Sequence, residues 1–179
     1  MALLKTIIFF SLCSLYSCSN ITEQTHLRVA KSQHDLPVFS IQANFKDLFD
    51  ESIGIYVEGI GIGKNWQGQK ANYFSNRKIN IDLAFYEEGE LLLRQKAKMK
   101  VSGGGSRKQP QKSFNLSCKD GFSYPFFKHL PFYHYKSLRL RVSGQDWRET
   151  HIRDGLMHTL VAKTNIDIQA YQPVILYLN

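Results

Sequence analysis

Ile79-Asn80-Ile81-Asp82-Leu83-Ala84-Phe85-Tyr86 runs straight into Glu87-Glu88-Gly89-Glu90. Apolar residues at every second position are the signature of a strand with one face buried. The glycine-containing acidic stretch supplies the turn into the next segment. That segment, Lys96-Ala97-Lys98-Met99-Lys100-Val101, alternates again, with Ala97, Met99 and Val101 on one face and three lysines on the other. Two alternating runs joined by a short turn form an antiparallel hairpin, and the rest of the fold is read outward from it.

Downstream, Phe114 and Leu116 mark another strand. Ser137 to Val142 marks a further one, with Leu138, Leu140 and Val142 inward and Arg139 and Arg141 outward. Pro173 to Leu178 is a final apolar strand. Upstream, Leu36 to Ile41 reads as the first extended apolar run of the folded body. Asn44 caps a helical turn to Asp50 that points Phe45, Leu48 and Phe49 inward. Thr150 is expected to cap the main helix, which runs to about Lys163 with Ile152, Leu156 and Leu160 as its apolar stripe. Gly54 to Tyr73 carries five glycines at spacings unlike a dinucleotide fingerprint and reads as a long hairpin loop. The chain has no internal repeats. The fold class is α+β, a mostly antiparallel sheet with one main helix.

A chain of 179 residues with 43% hydrophobic content suits one domain with an ordinary core. Its net charge of +8 favours polyanionic partners. The cations are spread through strands, and there is no zinc-finger spacing, RNA-binding aromatic signature or recognition-helix pattern, so nucleic acid is not expected. Residues 1–17 read as a signal peptide, a short positive start followed by an apolar run too short to span a bilayer. The run ends Leu15-Tyr16-Ser17-Cys18, which resembles a bacterial lipoprotein cleavage site with Cys18 as the lipidated residue. Residues 18–35 would then be a lipid-anchored tether and 36–179 the folded domain, on an exported, membrane-anchored protein or otherwise a secreted one. Cys118 would be left without a partner, so no internal disulfide is expected.

Lys100, three glycines at 103–105, Arg107, Lys108 and Lys112 concentrate charge and backbone freedom in one short stretch. Glycines allow a sharp turn and close approach of a ligand to backbone amides. Lys112-Ser113 follows Gln111 rather than Gly, and a strand rather than a helix comes next, so this is not a Walker loop. Two readings stand: a glycine-rich hairpin over phosphates, or a flexible turn with a solvated basic face. Arg139 and Arg141 share a strand face, as Lys96, Lys98 and Lys100 do; were the two strands adjacent, the charges would repel unless an anion lay between them. Asp146, in Ser143-Gly144-Gln145-Asp146-Trp147-Arg148, either orients a ligand or caps the turn and pairs with Arg148. His151 and His158 lack a third ligand and are not expected to bind metal.

Four segments together resemble a known family. They are Leu36 to Ile41, Leu48 to Val57, Ser102-Gly103-Gly104-Gly105-Ser106-Arg107 with Lys112-Ser113, and Leu138 to Trp147 with Arg153-Asp154. They follow the order seen in the N-terminal half of CotH-like proteins, relatives of spore coat protein H and an atypical protein kinase family. The resemblance implies a kinase-like fold using ATP and a divalent metal, Mg, to phosphorylate protein hydroxyls. It implies Arg107 and Lys112 as phosphate contacts and Arg141 and Asp146 as site-forming residues, together a nucleotide-binding set. Family members continue into a larger lobe with acidic metal ligands and catalytic residues. The chain is therefore expected to be an N-terminal, truncated portion, inactive alone, whose partners are that missing C-terminal lobe or an acceptor protein, with the membrane reached through the lipid anchor. The alternative is a non-catalytic cell-surface lipoprotein that binds an anionic polymer or a partner protein.

Overall fold

The computed structural model describes residues 5–10 and 34–179. Cys18 and the 18–33 part of the tether lie outside the described residues. The elements are β1 (Lys5–Phe10), β2 (Val38–Ala43), helix α1 (Phe45–Phe49), β3 (Gly63–Lys64), β4 (Lys70–Ala71), a 3-10 turn at Asn72–Phe74, β5 (Ile79–Glu87), β6 (Glu90–Ser102), a second 3-10 turn at Gly105–Lys108, β7 (Ser113–Ser123), β8 (His134–Arg141), helix α2 (Arg153–Leu160) and β9 (Tyr171–Leu178).

The opening hairpin is the spine of the molecule. β5 and β6 pair antiparallel from Glu87↔Glu90 to Ile79↔Met99, with an irregularity between Phe85 and Tyr86. Glu88 and Gly89 both have positive φ at the turn, the backbone that a two-residue hairpin requires. β7 then pairs with β6 and β8 with β7, both antiparallel. On the other side β2 pairs antiparallel with β5, and β9 lies parallel to β2. β1 runs parallel to both β8 and β9 and closes the sheet into a barrel of order β1-β8-β7-β6-β5-β2-β9. Without Lys5–Phe10, β8 and β9 would be the two edges of a six-stranded curled sheet. The α+β class holds, with a mixed, curled sheet dominated by antiparallel pairs.

Alternation decides which faces are buried. Phe39, Ile41, Leu83, Phe85, Met99, Val101, Phe114, Leu116, Leu138, Leu140 and Val174 fill one core. On the opposite face of β2, β5 and β9 a smaller cluster joins Val38, Ala84 and Tyr86 to Ile175 and Tyr177. α1 begins as read: the Asn44 carboxamide oxygen accepts from the Lys46 amide at 2.9 Å, and Leu48 is fully buried. Phe45, expected inward, is exposed.

The main helix departs from its reading. It is shorter, Arg153–Leu160, and Ile152 at its start has no side-chain cap. Ile152, Leu156 and Leu160 form a stripe, but all three are exposed; the buried residue of the helix is Gly155. The periodicity identified a helix face and not the direction in which it points. Contacts at residues 153–155 set that direction, because a Cβ on Gly155 would stand 2.4 Å from the ring of Tyr171 on β9.

Candidate anion-binding site

The stretch from Gly103 to Lys112 links β6 to β7 as a glycine turn followed by the second 3-10 turn. Gly103 has φ +107, so a side chain there would be strained, and its missing Cβ would lie 2.5 Å from Ser106 Oγ. Gly104 and Gly105 face open space within 4 Å of where a Cβ would be. The turn is backed by the loop after β8: a Cβ on Gly144 would meet that of Ser106 at 2.5 Å. The two segments singled out in the sequence are thus in direct contact.

Lys112 sits at the end of this turn and is 5% exposed. Its ammonium donates to the Gln109 carbonyl at 2.7 Å and lies over the ring of Tyr73 at 4.4 Å and that of Tyr56 at 5.3 Å. Tyr56 is held by a hydrogen bond from its hydroxyl to the Pro110 carbonyl at 2.9 Å. No carboxylate among the described residues forms an ion pair with Lys112. Burial pushes its amine down to about 8. Aromatic faces attract a cation but replace only part of the hydration it has lost.

Arg107 uses its guanidinium differently. Nε donates to the Gly103 carbonyl at 2.6 Å, and Nη1 reaches the carbonyls of Tyr73, Phe74 and Ser75 at 3.5, 3.2 and 3.2 Å. A rigid fork of donors suits this, since it ties the glycine turn to the Asn72–Phe74 turn. Lys112 and Arg107 therefore meet the same 73–75 segment, one through a ring and one through the backbone.

Asp146 and Arg141 lie apart from this turn's cations and pair with different residues at the start of α2, Arg153 and Asp154. Asp146 is 2% exposed. Its carboxylate accepts from the Thr150 hydroxyl at 2.7 Å, the Thr150 amide at 3.3 Å and the Arg153 amide at 3.1 Å. The Arg153 guanidinium lies 3.3 Å away. Its carboxyl is held below the usual range, first by the Thr150 hydroxyl and then by the two amides, against the opposing effect of burial. Asp146 thus organises the turn into the helix; Arg153 is its partner, while Arg148 stacks on Trp147 instead. Arg141 forms an ion pair with Asp154. Ser143, between these groups, has φ +47 and a buried hydroxyl with no partner among the described residues.

β7 separates the two cationic strand faces, so they are not adjacent. Lys100 stands opposite Asn115, and Asn115 opposite Arg139. Asn115 accepts from Arg139 Nε at 2.9 Å. An amide, not an anion, spaces the charges.

Residue order did not disclose Tyr56 and Tyr73. They belong to irregular segments remote from Lys112 in sequence, and the one available signal was their place beside the glycine-rich loop.

Residues 99–179 match the family model described as CotH kinase protein. The match spans the glycine turn, β7, β8, α2 and β9 and shows a distant relation to the CotH superfamily. Neither the curated proteins nor the solved structures gave a match.

Proposed function

We propose that this chain carries the nucleotide-facing N-terminal portion of a CotH-like kinase fold, with Lys112 as the cation that meets an ATP phosphate. The observation behind this is a lysine 5% exposed and without a carboxylate, at the end of an open glycine turn. Burying an ammonium costs several kcal/mol, on the order of what a good counter-charge returns. One carbonyl and two tyrosine faces leave much of that cost uncompensated, and a phosphate oxygen would supply the missing charge. In this reading Arg107, Arg141 and Asp146 are positioning residues. Arg107 shapes the turn, and the other two fix the loop and helix behind it.

ATP carries the transferable phosphoryl group, and a divalent metal neutralises its charge during transfer. The residues here do not fit the metal: no group of three or more His, Cys, Asp or Glu among the described residues could hold one. On this proposal the acids that hold it belong to a further lobe or a partner, and the described residues bind without transferring.

The test is equilibrium ATP binding by the full chain, compared with Lys112→Met and with a Lys98→Gln/Lys100→Gln control. Loss of a charge-assisted contact should weaken binding by roughly 10- to 100-fold in Lys112→Met and leave the control unchanged. Circular dichroism establishes that the variant is folded. Equal binding by folded Lys112→Met and wild type would contradict the proposal. Labelled ATP, magnesium and a serine-rich acceptor should give no transfer by the chain alone.

The Lys100–Asn115–Arg139 row supports a second reading, binding of an anionic polymer on the outer sheet face. In that case the Lys98→Gln/Lys100→Gln control loses binding, with a steep salt dependence.

A further inference from the structure

The hairpin β3–β4 exposes what most loops hide. Ile60 is 70%, Ile62 46% and Trp66 83% exposed. Single exposed apolar residues need no explanation, whereas a group of three large ones on one hairpin does. They are held out by a built base. The Asn72 side chain accepts from the amides of Gly61 and Ile62 at 3.0 and 3.1 Å and donates to the Glu51 carbonyl at 2.9 Å. Asn72 is fully buried. Gly63 has no room for a side chain, since a Cβ would stand 2.0 Å from the Ser75 amide. At the tip, Asn65 accepts from the amides of Gln67 and Gln69 at 3.0 and 2.9 Å. The base and both shoulders of the tip are wired, and Trp66 is presented between them.

Charge accompanies the apolar tip. Lys64 and Lys70 stand directly opposite each other across the strand pair, and both are exposed. Like charges in that position destabilise a hairpin unless an anion screens them. From Gly59 to Ile81 the chain has four cations and no carboxylate, and Arg77 is paired with Asp47. Lys64 and Lys70 have no ion-pair partner among the described residues.

We propose that this hairpin docks on an anionic lipid surface, with Trp66, Ile60 and Ile62 in the interfacial layer and Lys64 and Lys70 against headgroup phosphates. Indole prefers the boundary between headgroup and acyl chain, and isoleucines add apolar area below it. Lysines with long apolar stems place their charge at headgroup depth. Between Gly59 and Ala71 the only charges are Lys64 and Lys70, while Glu51 and Glu58 lie at the base beside Ile60; the cationic end that carries Trp66 complements a bilayer of negative charge. The inference is independent of the kinase-like reading and of any lipid on Cys18.

The experiment uses the full chain with Trp147→Phe, which leaves Trp66 as its one tryptophan. It is mixed with vesicles of phosphatidylcholine alone or with phosphatidylglycerol, carrying brominated acyl chains. Trp66 emission should shift to the blue and be quenched on the anionic vesicles. Lys64→Gln/Lys70→Gln should weaken partition roughly 30-fold, the equivalent of about 1 kcal/mol for each lysine. These substitutions are on the surface, and circular dichroism checks the fold. Unchanged Trp66 emission on anionic vesicles overturns the proposal. Quenching that is equal on neutral vesicles and indifferent to the lysine substitutions also overturns it, because binding that ignores both charges is not headgroup recognition by Lys64 and Lys70. Trp66 quenching only by a soluble polysaccharide or protein would assign the hairpin to another partner and likewise overturn it.

Discussion

Lys112 holds its charge where water is scarce, and the consequence can be measured as a pH dependence. Its amine is held at about 8 in the folded chain, against about 10.4 for an unfolded lysine. Between those values the unfolded state binds the extra proton, so stability rises with pH across that window and the penalty is fully present below it. Lys112→Met removes the penalty. The difference in urea midpoint between variant and wild type should favour the variant most at pH 7 and shrink as pH rises toward 10. A difference that does not vary with pH would show that the amine is not desolvated. Asp146 has the opposite sign. Its lowered carboxyl contributes stability above the unfolded value of about 3.9, which is lost as pH falls through its folded value. Asp146→Asn should destabilise the chain near neutral pH and flatten its loss of stability below about pH 4, read from acid unfolding curves.

At the scale of elements, contacts between loops decide what the sequence left open. The Gly144 backbone packs against the Ser106 side chain, so Gly144→Ala should lower stability, Ser106→Gly should cost little, and the double variant should recover most of the loss. Additive effects in that cycle would show that the two loops do not touch. Gly155→Ala gains about 1 kcal/mol of helix propensity. Forcing a methyl against Tyr171 costs about 1–3 kcal/mol, and a net loss in urea denaturation is expected. The strands were legible because alternation at 79–86, 96–101 and 138–142 reports burial directly. α2 was legible as a helix, but its Ile152, Leu156 and Leu160 stripe faces outward. A three-residue contact set at Arg153, Asp154 and Gly155 fixes the rotation, and no periodicity records such contacts. The candidate site was legible in part for the same reason. Lys112 and the glycines are local in sequence, whereas Tyr56 and Tyr73 reach them only through the fold.

Across the whole molecule, the curled sheet brings two kinds of surface to the Asn72–Phe74 turn. On one side this turn meets Arg107 and Lys112, and on the other it anchors the β3–β4 hairpin. One buried asparagine and one arginine fork therefore fix both the proposed phosphate site and the proposed membrane-facing tip. The distant CotH relation covers residues 99–179, which include the glycine turn and Lys112 but neither the hairpin nor the tyrosines. The central claim is that Lys112 awaits a phosphate, and NMR of lysine labelled at Cε tests it most directly. Titrated alone, Lys112 should show its midpoint at about 8. With saturating ATP the midpoint should move up toward the ordinary lysine range, because a bound anion favours the charged amine. A Lys112 midpoint that ATP leaves in place would contradict the account.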